Sequence, residues 1–130
     1  MIKAVAGGGG KGMAKVENKS ELQQAFTQAR SEALKSFGDE RVLVEKYIER
    51  GRHIEVQIVG DEHGNVVHLY ERECTIQRRN QKIVEEAPSP SINDDLRKEI
   101  CFTATRLMRE IGYDSAGTVE FIFDSTTKKF

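Results

Sequence analysis

The stretch that decides the fold class is RHIEVQIVGDEHGNVVHLY, residues 52–70. Ile54, Val56 and Ile58 alternate there with polar neighbours, and a period of two is typical of a strand with one buried face. The turn-rich residues 60–65 follow, and residues 66–70 are expected to return as the second arm of a hairpin. The stretch therefore predicts an antiparallel sheet.

Two helices accompany the predicted strands. The first is expected to begin at Ser20, with Gln23 completing a capping box, and to stop at Gly38. The second is expected to begin near Asn93 and to stop at Gly112. Its apolar face comprises Leu96, Ile100, Ala104, Leu107 and Ile111. With further strands over residues 41–48, 82–86 and 118–123, this order predicts an α+β fold, with mainly antiparallel sheets and helices packed on one face.

Composition excludes several classes of partner. The chain has 130 residues, 38% of them hydrophobic and 32% charged, with a formal net charge of -1. No basic field is present to gather nucleic acid or anionic lipid, and no apolar run approaches the roughly 18 residues of a membrane span. Cys74 and Cys101 lack a close Cys or His at ligand spacing, which disfavours zinc and favours reduced thiols.

Both ends of the sequence read as positions within a longer chain. Residues 2–6 enter a strand directly, and residues 128–130 begin another strand that has no partner to follow. An unpaired strand exposes backbone groups that a domain usually covers. We therefore expect a truncated domain, in which residues 1–16 are mobile or pair with another copy.

A glycine-rich run is the strongest local signal for chemistry. Residues 3–13 read KAVAGGGGKGM. Consecutive glycines cost backbone entropy, but their bare N–H groups can wrap an anion that a nearby lysine neutralises. No Gly-Lys-Ser/Thr step opens a helix, so the run is not a P-loop. The run predicts a phosphate cradle, with a flexible hairpin tip as the alternative.

Charged residues in the predicted strands form the second signal. Residues 71–86 (ERECTIQRRNQKIVEE) mix cations, carboxylates and amides, which suits an anion site or a salt-bridged surface. Glu120 lies between Val119 and Phe121 and faces away from the core if those two face it. It is then either a solvent-facing residue or a magnesium ligand. His53 is either a ligand contact or a strand-edge histidine.

Taken together, these segments resemble the biotin carboxylase family over essentially the whole chain. Residues 3–13 are similar to its glycine-rich lid loop, residues 45–48 (EKYI) to its nucleotide-base segment, and His53 to its ribose-side histidine. Residues 71–88 resemble its ERDC…QRRHQK…EEAP run. Residues 112–121 (GYDSAGTVEF) resemble its GYxxAGTxEF strand.

The resemblance implies an ATP-grasp fold and a carboxylation reaction. Residues 1–47 would belong to the glycine-loop lid subdomain and residues 48–130 to the metal- and nucleotide-binding subdomain, each truncated. Mg-ATP (or Mn-ATP) would phosphorylate bicarbonate to carboxyphosphate, and the carboxyl group would pass to N1 of biotin on a carrier domain. The implied partners are the biotin carrier and carboxyltransferase parts of an oligomeric enzyme, in the cytoplasm or the mitochondrial matrix.

The resemblance also implies a role for individual residues. Lys82 would be catalytic at the bicarbonate end of the pocket, and Glu120 would bind the metal. Lys3 would contact phosphate under the lid, and His53 would lie by the ribose. ATP binding is implied for Lys3, Gly9, Gly10, Met13, Glu45, Lys46, Tyr47, Ile48, His53, Gln77 and Asn80.

Two departures from the family pattern carry expectations of their own. Asn80 stands where many members have His and cannot carry a charge, which with GGGGKGM favours the propionyl-CoA carboxylase branch. The chain stops at Phe130, before the family's FxEMNTRxQVEH segment, so the isolated fragment is expected to be inactive. The alternatives are another ATP-grasp enzyme, such as carbamoyl-phosphate synthase, and a non-catalytic interaction module.

Overall fold

The computed structural model describes residues 1–8 and 10–130. The chain divides into two compact units. The N-terminal unit comprises residues 1–47 and 79–81, and the sheet unit comprises residues 48–78 and 82–130.

The N-terminal unit is a small antiparallel sheet with one helix. Strands β1 (Ile2–Ala4), β2 (Met13–Ala14) and β3 (Val42–Val44) lie in the order β2-β1-β3. Helix α1 (Leu22–Phe37) contacts all three strands. Ala29 and Ala33 of α1 and Ile2 of β1 are buried. Because β1 pairs with β2 and β3 of the same chain, the expected pairing of residues 1–16 with another copy is wrong for β1.

Of the two predictions for the ends of α1, the one for its start is wrong and the one for its end is confirmed. A 3-10 turn (Lys19–Glu21) precedes the helix, so Ser20 lies inside that turn and the predicted capping box is wrong. The predicted stop at Gly38 is confirmed. Gly38 has φ 73°, a left-handed conformation that glycine adopts at little cost, and its N–H donates to the carbonyl of Leu34 at 2.9 Å.

The sheet unit contains the predicted hairpin. Strands β4 (Gly51–Gly60), β5 (Val66–Arg78), β6 (Gln81–Glu86) and β7 (Ala116–Asp124) form a sheet in the order β6-β5-β4-β7. Strand β4 is antiparallel to both β5 and β7. Helix α2 (Asp94–Glu110) packs on one face of this sheet. The predicted α+β class is therefore confirmed. Neither α1 nor α2 has the length and apolar content needed to cross a bilayer.

The two faces of this sheet differ in character. Ile54, Val56 and Ile58 are fully buried against α2, and burying such a side chain stabilises the fold by roughly 1.5–3 kcal/mol. Val119 and Phe121 pack against the same core. We call this side the core face and the opposite side the open face. Glu120 therefore lies on the open face, as the alternation predicts.

Helix α2 begins and ends where the sequence predicts. The side chain of Asn93 accepts the N–H of Leu96 at 3.0 Å, and Gly112 follows the helix at φ 67°. The predicted apolar face is wrong in its second half, because Leu107 is 44% and Ile111 62% exposed. The buried stripe instead includes Cys101 and Thr105, beside Ile100 and Ala104.

Buried carboxylates also occupy the core face. Glu71 is 1% exposed, and its Oε1 accepts from Arg97 Nε at 2.7 Å and from the Ser89 N–H at 3.0 Å. Burial alone raises the pKa of Glu73, but hydrogen bonds from Ser89 and its other donors hold the pKa below its ordinary value.

After β7, Lys129 makes one antiparallel bridge to Asp124, so the strand predicted over residues 128–130 does not form beyond that bridge.

Candidate functional site

The strand register places a row of charges on the open face. Arg72 of β5 lies opposite Glu55 of β4, and Glu55 lies opposite Glu120 of β7. Like charges directly opposite each other on neighbouring strands are destabilising unless a cation offsets them. Lys82 of β6 supplies that cation. Its Nζ donates to Oε2 of Glu55 and, at 3.0 Å, to Oε1 of Glu120.

Glu55 is the buried centre of this row, with 2% of its surface exposed. Its Oε1 accepts from Arg72 Nε at 2.9 Å and from Arg72 Nη2 at 2.6 Å. Arg72 Nη1 in turn donates to Oε1 of Gln57 at 3.0 Å. Burial raises the pKa of Glu55, but the hydrogen bonds from Lys82 and Arg72 outweigh it, so the pKa lies below its ordinary value. The carboxylate is therefore ionised.

Lys82 is held as an ammonium. Partial burial lowers its pKa, but the hydrogen bonds to Glu55 and Glu120 raise it further, so the net direction is upward. The side chain of Lys82 as a whole is 29% exposed. Among the described residues, the ion pairs of Lys82 are with Glu55 and Glu120, and not with Glu85 or Glu86 of its own strand.

His53 and Gln77 join the row beside Glu120. The Gln77 amide nitrogen lies 2.8 Å from His53 Nδ1 and also donates to the Cys74 carbonyl at 2.8 Å. Because the amide donates to Nδ1, the ring proton lies on Nε2. This Nε2 is 3.3 Å from Glu120 Oε1, yet no hydrogen bond to it has acceptable geometry among the described residues. The nitrogen is buried, with no hydrogen-bond partner in the described part of the chain.

The remaining predicted site residues are distributed over both units. In the N-terminal unit, Lys3 Nζ makes an ion pair with Glu45 Oε2 at 2.5 Å, and Met13 lies opposite Lys3 on the neighbouring strand. Lys15 Nζ lies over the Tyr47 ring, 4.7 Å from the ring centroid. Lys46 is exposed. In the sheet unit, the Ile48 carbonyl accepts the N–H of Gly51 at 3.3 Å.

Gly10 and Asn80 lie together in the N-terminal unit, whereas Gly9 lies outside the described residues. Gly10 has φ 80°, and a Cβ there would lie 2.2 Å from the Asn80 amide nitrogen, so only glycine fits. Arg79 and Asn80 have φ 52° and 63° in the two-residue connection between β5 and β6. Asn tolerates this left-handed conformation better than most residues do.

The open face offers a limited set of metal ligands. One ligand atom each from His53, Glu55 and Glu120 can be chosen so that all three lie within 4.8 Å of one another. Glu55 already accepts from two cations. Glu120, at 55% side-chain exposure, is the carboxylate best able to take a further ligand. Mg²⁺ binds through one or two carboxylates together with substrate phosphates, and Glu120 fits the part of one such carboxylate.

Sequence reasoning missed Glu55 and Arg72. The alternation that buries Ile54 and Val56 also places Glu55 on the same face as His53. Counting back through the predicted hairpin would have brought Arg72 near Glu55. The missed signal was therefore a carboxylate in mid-strand with a cation across the hairpin.

Residues 1–130 match the family model of the ATP-binding domain of the carbamoyl-phosphate synthase L chain, and the chain belongs to this family. Within it, the chain is similar to biotin-dependent carboxylases. It is 58% identical to the pyruvate carboxylase of Staphylococcus aureus over 122 residues, which cover 94% of this chain and 11% of that protein.

Two solved structures show the same likeness in three dimensions. The biotin carboxylase-beta-gamma-ATP complex from Campylobacter jejuni superposes with a TM-score of 0.96 at 47% identity, over 99% of this chain and 29% of that one. The biotin carboxylase domain of Hydrogenobacter thermophilus 2-oxoglutarate carboxylase, in complex with MgADP, ADP and bicarbonate, gives 0.91 at 50% identity, over 96% and 28%. The resemblance to biotin carboxylases and the ATP-grasp fold are confirmed. The chain spans 11 to 29% of the length of these proteins.

Proposed function

We propose that this chain forms part of the ATP- and bicarbonate-binding region of a biotin carboxylase, an ATP-dependent ligase that carboxylates N1 of biotin. One observation carries the proposal: the open face holds a charged ammonium, Lys82, between two carboxylates, and one of these carboxylates lies 3.3 Å from a histidine ring nitrogen. The likeness to carboxylases at 47 to 58% identity supports this activity over that of carbamoyl-phosphate synthase.

The chemistry of the open face suits the meeting of two anions. Phosphate and bicarbonate repel each other as they approach, and a compact point charge offsets that repulsion. Lys82 is such a charge. The Gln77 amide lies 2.8 Å from His53 Nδ1 and fixes the orientation of the ring beside Glu120. When bound, Mg²⁺ (or Mn²⁺) would neutralise phosphate charge, with Glu120 as one ligand.

In the N-terminal unit, we assign nucleotide contacts to the residues implied by the resemblance. Lys3 and the glycine run would bind phosphate, and residues 45–48 would hold adenine. Asn80 would add a contact with nucleotide to its close approach to Gly10. The isolated chain is proposed to lack turnover, with the biotin carrier and carboxyltransferase parts as partners in an oligomeric enzyme. The propionyl-CoA carboxylase branch stays a prediction.

The substitution Lys82→Gln tests the proposed function. It is made in the full-length carboxylase, by which we mean the enzyme in which these 130 residues are proposed to act. Losing one stabilising donor typically lowers kcat by about 10²–10³-fold. We therefore expect bicarbonate-dependent ATP cleavage to fall by that factor, while Mg-ATP still binds because Lys82 serves the bicarbonate end.

The matched control for this test is Lys98→Gln on α2. Lys98 is 79% exposed, and its contact with Asp95 is 3.8 Å long, so its removal should leave turnover unchanged. Near-normal turnover of the Lys82→Gln enzyme would refute the proposed function.

A further inference from the structure

A groove runs between α2 and the first half of β5 in the sheet unit, on the side of the sheet opposite the charged row. It is lined by α2 from Asp94 to Arg109 and by His68 and Tyr70 of β5, and its volume is about 530 Å³. We call it the α2 groove. Because a helix rises about 1.5 Å per residue, α2 spans roughly 22 Å between Asp94 and Arg109. A cavity of this volume spread over that length is long and narrow, which suits an extended chain better than a compact molecule.

A backbone irregularity in β5 turns an aromatic ring into this groove. Strand β5 has one residue more than β4 between the pairs Val56–Glu71 and Ile58–His68, which is a bulge. Within the bulge Tyr70 has φ 63°, a conformation that is rare for a bulky side chain, and its N–H donates to His68 Nδ1 at 3.2 Å. In a regular strand Tyr70 would face away from the side of Glu71. Here its ring lines the groove, packs edge-to-face on His68 with 5.1 Å between centroids, and stays 63% exposed.

Helix α2 adds a second exposed ring and an arginine to the groove. Phe102 is 62% exposed. Arg109 Nη2 donates to the Val66 carbonyl at 2.9 Å, which fixes the guanidinium at one end of the groove. Arg97 and Arg106 of the same helix have carboxylate partners, whereas no ion pair within residues 1–8 and 10–130 involves Arg109. A guanidinium has five N–H donors, so Arg109 keeps donors for a further acceptor.

We propose that the α2 groove binds an extended acidic segment of a partner protein, with a carboxylate at Arg109 and an apolar side chain against the Tyr70 and Phe102 rings. Aromatic side chains and arginine dominate the binding energy of protein interfaces, and a fixed guanidinium matches a carboxylate well. At about 3.3 Å per residue, a groove of roughly 22 Å holds about six extended residues. Single-stranded nucleic acid would need a groove that is basic along its length, but Asp94 lies at the other end and the net charge is -1.

A blocked peptide of sequence Ser-Glu-Ser-Phe-Ser-Glu-Ser tests the proposal. Alternate residues of an extended chain share one face, so its Phe can meet the rings while one Glu reaches Arg109 in either chain direction. Binding to the 130-residue chain is followed by amide shifts in an NMR titration, and we expect saturable shifts at Tyr70 and Phe102. Arg109→Gln should weaken binding by about tenfold. The peptide with Gln for Glu should lose the same factor against the original chain and nothing more against Arg109→Gln.

The matched control is Arg106→Gln on the same helix. Arg106 is exposed, lies 4.0 Å from Glu110 and is not among the residues that line the groove, so this variant should bind the peptide unchanged. Phe102→Ala is the second variant, used also if Arg109→Gln does not fold. Because Phe102 is exposed, its removal should leave the urea midpoint unchanged and weaken peptide binding by a similar factor.

Four outcomes would overturn the inference. They are an absence of saturable shifts at millimolar peptide, equal affinities of Arg109→Gln and Arg106→Gln, and equally tight binding of phenylacetate, which would indicate a small-molecule site. The fourth concerns the full-length carboxylase, which should bind the peptide as the 130-residue chain does. Binding to the 130-residue chain alone would mean that the carboxylase covers the groove with its own chain. None of these results depends on Lys82, so the proposed function stands or falls separately.

Discussion

Removing the Arg97 guanidinium should destabilise the sheet unit more than the loss of any surface ion pair would. Glu71 beneath it has a side chain with 0% exposure, and Oε1 accepts from Arg97 Nε and from the Ser89 N–H. Its Oε2 has no partner in residues 1–8 and 10–130. The substitution Arg97→Met keeps most of the apolar stem and removes the guanidinium, so the buried carboxylate loses its only cation in the described part of the chain.

The magnitude follows from the burial of this pair. Breaking a buried ion pair by removing one partner costs about 3–5 kcal/mol, because the remaining charge is left uncompensated. The Ser89 N–H stays in place, and Arg97 is itself 15% exposed, so we expect a loss near the lower limit, about 3 kcal/mol. The further contact of Arg97 with Asp94 adds little, because Asp94 is 84% exposed.

The assay is urea unfolding of the chain followed by circular dichroism, since the sequence contains no tryptophan. Hydrogen exchange at the Val56 amide reports on the sheet unit specifically. Arg106→Met is the matched control on the same helix, because Arg106 and Glu110 are 4.0 Å apart and both largely exposed. Its cost should stay below about 0.5 kcal/mol.

A second substitution tests the cause of the loss. Glu71→Gln keeps an acceptor for the Ser89 N–H and removes the charge, so adding it to Arg97→Met should restore most of the lost stability. A loss of less than about 1 kcal/mol in Arg97→Met, or no recovery in the double variant, would refute the argument that an unpaired buried charge is responsible.

Two further predictions concern α2. Asn93→Ala removes the acceptor for the Leu96 N–H and should cost roughly 1 kcal/mol of stability in urea unfolding. Asn93→Asp keeps an acceptor and should not lose this stability. Equal urea midpoints for the original chain and both variants would contradict the prediction. Burial and the charge of Glu71 raise the pKa of Cys101 from 9.0 to about 11, so the unfolded thiol ionises first and stability should fall between these pH values. Cys101→Ala should reduce this fall by up to roughly 2 kcal/mol, and an unchanged pH slope would count against it.

Much of the sheet unit could be predicted from local patterns. The alternation of Ile54, Val56 and Ile58 identifies β4, and the cap at Asn93 and the stop at Gly112 delimit α2. These signals depend on residues within a few positions of each other, which is why the sequence reveals them. The face of α2 is different. Helical spacing leaves several apolar stripes possible, and the sheet selects the one that includes Cys101 and Thr105.

The first helix shows that a capping pattern in the sequence does not always set where a helix begins. Ser20 and Gln23 have the spacing of a capping box, yet the chain enters α1 through a 3-10 turn. Asn18 instead donates from its side chain to Glu21 at 3.0 Å. Such ends are the least predictable part of a helix, because a 3-10 turn and a cap satisfy the same backbone groups.

The candidate site could be predicted at four of its residues, whereas Glu55 and Arg72 were missed. Lys82, His53, Gln77 and Glu120 belong to segments that resemble a known family. Glu55 lies in a strand whose other features all indicate packing, and a carboxylate in mid-strand usually faces solvent. Its burial depends on cations from two other strands, and that arrangement exists only after the sheet has formed.

The pairing of Glu55 with Glu120 also bears on how the chain finds its native alignment. A slip of β7 by one residue along β4 would turn Glu120 toward Ile54 and Val56, which the apolar pattern forbids. A slip by two residues keeps every apolar side chain on the correct face, so hydrophobicity alone tolerates it. Only in the native alignment do both carboxylates meet the same ammonium. The two ion pairs of Lys82 thus favour the native register of edge strand β7 on β4, two strands that lie far apart in the sequence.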